Sequence, residues 1–185
     1  MRNKRWLFFL IVIGLASLVF NVPAFSFNDT QESRETLRGV TPIYVVIEGV
    51  TPALEHSGLS AKQLKKAVER QLRETGIQVV TTTKKQESGG LYVRMNTLKS
   101  EMLESSFDID YYAISITIEL IQRCLPLTEK NINASYISSH TALACTWSTS
   151  NIYLAGEERL IDIRDCVHEL VGHFIKAYVS VNPKQ

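Results

Sequence analysis

The chain is poor in the residues from which reactive centres are usually assembled. Its 185 residues include only 3 Cys, 4 His, 9 Gly and 5 Pro. Cys124, Cys145 and Cys166 are spaced 21 residues apart. Zinc knuckles pair ligands two to four residues apart, so this spacing excludes one. No glycine cluster forms a phosphate-cradling loop, and no Gly-x-Ser-x-Gly elbow presents a nucleophile. Neither sign of charge is in excess: 20 basic residues stand against 19 acidic, a formal net charge of +1. A nucleic-acid partner wants a strongly basic surface, so none is expected. These absences lead us to expect no cofactor, no metal and no enzymatic activity.

Long apolar runs are also rare, with one exception at the N-terminus. Arg2, Lys4 and Arg5 precede an apolar stretch from Trp6 to Phe20. Asn21-Val22-Pro23-Ala24-Phe25-Ser26 then offers small residues at spacings a signal peptidase accepts, with cleavage after Ala24 or Ser26. This is the layout of a secretory signal peptide, and the run is shorter than the roughly 20 residues that span a bilayer comfortably. Residues 1–24 are therefore read as a signal peptide, with an uncleaved anchor as the alternative. In that case the N-terminal segment would be the chain's sole membrane contact. Residues 1–24 hold three of the 20 basic residues and no acidic one, leaving 17 against 19 and a formal charge of −2. About 160 residues remain, enough for one domain with a proper core.

Residues 25–38 are polar and aperiodic and read as a flexible segment, followed by a single domain over 39–182. Thr41–Val50, rich in Val, Ile and Tyr, reads as a first strand. Ser60 with Gln63 makes a capping box, Leu59 with Leu64 a hydrophobic staple, and Leu64, Ala67, Val68 and Leu72 an apolar helix face. Gly76 is placed to end that helix. Residues 77–83 read as a second strand, 84–90 as a polar turn, and 91–97 as a third strand. Tyr111–Leu120 alternates: Ile114, Ile116, Ile118 and Leu120 on one side, Ala113, Ser115, Thr117 and Glu119 on the other. That period marks a strand with one buried and one wet face. Residues 141–154 form a fifth strand with Leu143, Cys145 and Trp147 on one face, and 157–179 a closing core-facing helix. The expected fold is α/β of the α+β type, in the order β-α-β-β-β-β-α. It is a two-layer sandwich, a mixed, mostly antiparallel five-stranded sheet with two helices on one face.

Candidate groupings are few. His168 and His173 stand five residues apart, about 140° around a helix, and so cannot share one ion as a spacing of four would allow. Lys62, Lys65, Lys66, Arg70 and Arg73 offer a cationic helix face to anionic lipid or an acidic partner, or else a solvated face with pairs such as Glu69–Arg73. The wet sheet face collects Tyr92, Arg94, Asn96, Ser115, Thr117 and Glu119, a polar platform for a partner or ligand. Cys166 and His168 point apart, and Asp108 and Asp110 lack the further oxygens of a calcium loop. The cysteines read as small buried hydrophobes, with Cys124–Cys145 as the best bridge if oxidised. Sequons occur at Asn28 and Asn133.

Leu37-Arg38-Gly39-Val40, Val45-Val46-Ile47-Glu48, Gly58-Leu59, Leu72-Arg73-Glu74-Thr75-Gly76-Ile77 and Leu91-Tyr92-Val93 set up a resemblance. With Thr146-Trp147 and Asn182-Pro183-Lys184, the succession resembles a group of uncharacterised exported bacterial proteins over residues 37–184. In element order the chain is also similar to small envelope accessory domains such as the N-terminal domain of TolB or CsgG-like proteins. The resemblance implies a periplasmic or secreted domain with an envelope protein partner and carries over no site residue. The expected function is non-enzymatic partner binding or assembly in the bacterial cell envelope. A small-ligand or lipid-binding domain, or a hydrolase with an unrecognised site, are the alternatives.

Overall fold

A computed structural model describes residues 26–27, 29–81, 89–99, 111–125 and 141–183. The leader, the sequons at Asn28 and Asn133, and Asp108 and Asp110 lie outside the described residues. Within them the chain is α+β. Its elements are β1 (Ser26–Phe27), α1 (Gln31–Glu35), β2 (Ile43–Glu48), α2 (Pro52–His56), α3 (Ala61–Glu74), β3 (Gly89–Lys99), β4 (Tyr111–Cys124) and β5 (Ala142–Gly156). A 3-10 turn (Glu157–Asp162) leads into α4 (Ile163–Val181). The sheet order is β1-β5-β4-β3-β2, in which β2 runs parallel to β3 and the other pairings are antiparallel. No described helix is long and apolar enough to cross a membrane.

The alternation in β4 builds the core. Ile114, Ile116, Ile118 and Leu120 are fully buried against Leu64, Val68 and Leu72 of α3 and Val167, Leu170, Val171 and Phe174 of α4. Trp147 meets Phe174 edge-on at 5.3 Å between ring centres. α3 starts where Ser60 Oγ accepts the Gln63 N–H at 3.3 Å. It ends at Gly76, φ +88°, with the Ile77 N–H reaching back to the Leu72 carbonyl. That 6→1 bond is a left-handed cap, which a side chain at Gly76 would strain.

Several expectations need correction. Over 77–81, the described part of the strand expected at 77–83, the pairing is one bridge, Ile43 with Val79: Ile43 donates to the Gln78 carbonyl and accepts from the Val80 N–H. Ile77 is taken up by the α3 cap and buried. Among the described residues four long strands make the sheet, with the two-residue β1 at its edge, and the parallel partner of β2 is β3. The Gly-Gly assigned to a turn opens β3 instead. A Cβ on Gly90 would fall 2.5 Å from the Tyr44 hydroxyl, so only glycine lets that ring lie across the strand. The closing helix begins later than expected, because 157–162 is wound as a 3-10 turn, and runs to Val181.

Of the segment expected to be flexible, residues 29–38 are tied down. Thr30 and Ser33 cap α1 reciprocally, and Leu37 is fully buried. The end of α4 clasps the stretch between α1 and β2: Asn182 donates to the Leu37 carbonyl (2.9 Å) and accepts from the Gly39 N–H (2.7 Å). Tyr178 donates to the Val40 carbonyl, and Arg38 to that of Val181. The polar composition of residues 29–36 fits a segment that satisfies its own backbone locally.

The faces of β5 also differ from expectation. The register shifts between Leu120 and Ile121, whose partners are Trp147 and Cys145, leaving Thr146 as a bulge residue. One extra residue reverses the parity upstream of it. Trp147 is thus 2% exposed in the core, whereas Leu143 is 68% exposed on the other face. The same bulge separates the cysteines: Cys124 lies on the covered side and Cys145 on the open side. All three cysteines are free, which corrects the bridge; Cys145 is exposed and Cys124 half-buried, and Cys166 alone packs, partly buried, against the core.

Candidate functional site

The helices cover one side of the sheet, and the register assembles the other. Tyr92 stands opposite Glu119, Arg94 opposite Thr117 and Asn96 opposite Ser115. The structure thus places all six residues of the expected platform on the open face. β2 extends it, because parallel pairing sets Glu48 beside Arg94 and Tyr44 beside Gly90. β5 adds Ser148, Ser150, Ile152 and Leu154 opposite Glu119, Thr117, Ser115 and Ala113.

Arg94 is the centre of the polar end. Its Nε donates to Glu48 Oε2 at 2.8 Å, and its Nη1 lies 2.8 Å from Glu119 Oε2. The second approach is an ion pair without hydrogen-bond alignment, so that buried oxygen of Glu119 has no directed donor. The guanidinium also lies 5.3 Å above the Tyr92 ring, a cation–π contact, and Tyr92 meets Tyr44 edge-on. The bond to Glu48 holds the guanidinium charged. Burial pushes the Tyr44 hydroxyl up to about 12, reinforced by Tyr92. Glu48 and Tyr44 were missed by sequence reasoning: an almost wholly apolar strand has no alternation from which to read a face, and only the parallel register reveals one.

The opposite end of this face is apolar. Leu98 pairs with Ala113, and Ala113 with Leu154, so the three form a row across the strands, with Ile152 in the next row. Leu98, Ile152 and Leu154 are 71%, 64% and 82% exposed.

Acid–base and nucleophilic chemistry finds little support in these groups. Burial pushes the Cys145 thiol up, with Glu119 adding to the effect, and the Sγ donates to the Trp147 carbonyl. Burial likewise pushes up the Cys166 thiol, which sits by Tyr153 on the covered side. A raised thiol is a poor nucleophile at neutral pH. His168 is exposed while His173 is half-buried and close enough to Asp29 to act on it electrostatically, so the two histidines serve different surroundings. Beside the bulge, Thr30, Ser33, Thr36, Cys145, Thr146 and Ser148 line an open cleft of about 480 Å³. No protein-family model matches this chain, and no curated protein is significantly similar to it.

Proposed function

We propose that the protein is a non-enzymatic, exported binding domain of the bacterial cell envelope that takes a protein partner on its open sheet face. The observation that carries this is the junction of an apolar row, Leu98–Ala113–Leu154, with the preformed Glu48–Arg94–Glu119 set on one sheet face. Contiguous exposed aliphatics rimmed by polar groups mark interaction sites, and Arg and Tyr are the residue types that anchor them. Export rests on the leader, and the envelope on the likeness to accessory domains. A photo-crosslinking residue at Ile152, used in cells, tests the reading. It should capture a discrete envelope protein, and Leu154→Glu should abolish capture. Capture of nothing, or of the same products from a crosslinker at His56 on the helical side, would overturn it. A small-ligand reading draws on the cleft beside Thr146, where Glu32 and Trp147 join the hydroxyls. The space between sheet and helices is filled by Trp147, Phe174 and their neighbours, which lends nothing to a lipid pocket there.

A further inference from the structure

Five of the described arginines are closely paired. Arg34, Arg38, Arg73, Arg94 and Arg159 each hold a carboxylate within 3.2 Å. Among the described residues Lys66 and Arg164 hold none, and Arg70 reaches Glu74 only at 3.8 Å with both side chains mostly exposed. Lys62, Lys65, Arg123 and Lys176 hold none either, but Lys66, Arg70 and Arg164 converge. Together with Gln63 and Ala67 they line one groove of about 410 Å³ between α3 and α4.

Its geometry comes from helix periodicity. Gln63, Lys66, Ala67 and Arg70 stand at i, i+3, i+4 and i+7, a single stripe of α3 distinct from the core stripe of Leu64, Val68 and Leu72. Arg164, from the first turn of α4, faces that stripe across the groove, and its one described bond is a long 3.5 Å contact to the Gly58 carbonyl. Further along, the helices are joined by Gln71 Nε2 donating to the His168 carbonyl at 3.0 Å, beside Gly172. The helices are thus held at one end of their contact and lined with like charge at the other. Glu69, committed to Arg73, Glu74, leaning on Arg70, and Asp165, the chain neighbour of Arg164, are not among the lining residues.

We propose that this groove binds a phosphate group. Two guanidinium forks and one ammonium match the several oxygens of a tetrahedral anion, Arg through paired N–H donors and Lys as a point charge. A phosphate also supplies the counter-charge that the lining lacks. An anionic lipid headgroup and a free phosphate ester share this chemistry. The inference concerns the helical layer and is independent of what binds the sheet face.

The test uses the full chain in zwitterionic detergent, following the Arg side-chain Nε resonances by NMR. Inorganic phosphate should move the Arg70 and Arg164 signals saturably, while chloride at equal ionic strength leaves them in place. Arg164→Gln or Lys66→Gln should weaken binding by about tenfold, whereas Arg159→Gln, whose partner is Asp162, should not. A parallel arm compares phosphatidylcholine vesicles with and without phosphatidylglycerol, so that the leader's own insertion cancels. Signals moved by phosphatidylglycerol alone identify the headgroup as the source, and signals moved by phosphate identify the free ester. Equal shifts with chloride, or no shift in either arm, overturn the proposal, and the wild-type comparison decides this without any variant.

Discussion

Asp29 holds the leading segment to the core, and its removal should be measurable as lost stability. Its carboxylate accepts a bidentate pair from Arg34 (2.7 and 2.6 Å) and the indole N–H of Trp147 (3.2 Å). Trp147 is 2% exposed, so Asp29→Ala strands a buried donor, a loss of about 1–3 kcal/mol. The Arg34 side chain is 38% exposed, and solvent screening keeps its share small. The expected cost of Asp29→Ala is about 2 kcal/mol, and Asp29→Asn, which keeps an oxygen for the indole, should cost less. The Arg34 bond, chiefly, holds the Asp29 carboxyl below its ordinary value of 3.8. A lowered folded-state value stabilises above the unfolded value and loses that contribution as pH falls through the folded one. Wild type and Asp29→Asn should therefore converge in acid while remaining apart at neutral pH. Urea unfolding followed by Trp147 fluorescence in a Trp6→Phe background measures both. The reasoning fails if Asp29→Ala unfolds at the wild-type midpoint, or if the gap to Asp29→Asn persists well below the carboxylate range.

Phe174→Ala removes the ring that Trp147 and Tyr178 pack against and should cost about 3–5 kcal/mol by calorimetry. Gly49 and Gly39 both have positive φ, but a Cβ on Gly49 would fall 1.8 Å from the Met95 carbonyl oxygen while Gly39 has open space. Gly39→Ala should therefore cost about 1–2 kcal/mol, and Gly49→Ala distinctly more, read from the two denaturation midpoints. Burial raises the Cys145 and Cys166 thiols, so iodoacetamide should label both slowly at neutral pH. The labelling rate, followed by mass spectrometry, should climb only above the ordinary thiol range; fast labelling at neutral pH would contradict it.

What could be read from the sequence was whatever local chemistry decides alone. The α3 boundaries were legible because Ser60 and Gly76 act on backbone groups within a few residues of themselves. The β4 faces were legible because its isoleucines alternate without interruption. The bulge at Thr146 was not, since nothing in Cys145-Thr146-Trp147 states that one residue will drop out of register; that depends on matching Leu120 and Ile121 across the ladder. The clasp by Asn182 escaped for a related reason, because its partners Leu37 and Gly39 lie more than 140 residues away. Of the open face, sequence supplied the contributions of β3 and β4. Those of β2 and β5 waited on the sheet order.

The two proposed surfaces should differ in how they respond to salt, and the reason is structural. The open face is centred on β3 and β4, each paired on both sides, and Arg94 is already committed to Glu48 and Glu119 before any partner arrives. Its polar groups are preorganised, and binding there would draw chiefly on the apolar row, whose contribution ions barely screen. The helical groove is the reverse: its cations stand on long side chains in solvent without close counter-charges, and its attraction for an anion falls as the Debye length shrinks from about 10 Å at 0.1 M salt to about 3 Å at 1 M. Partner capture at Ile152 that survives high salt, alongside phosphate binding that does not, is the pattern this division requires. Capture lost with salt in step with the groove would mean that the open face works through Arg94 and its carboxylates, with Leu98 and Leu154 incidental to binding.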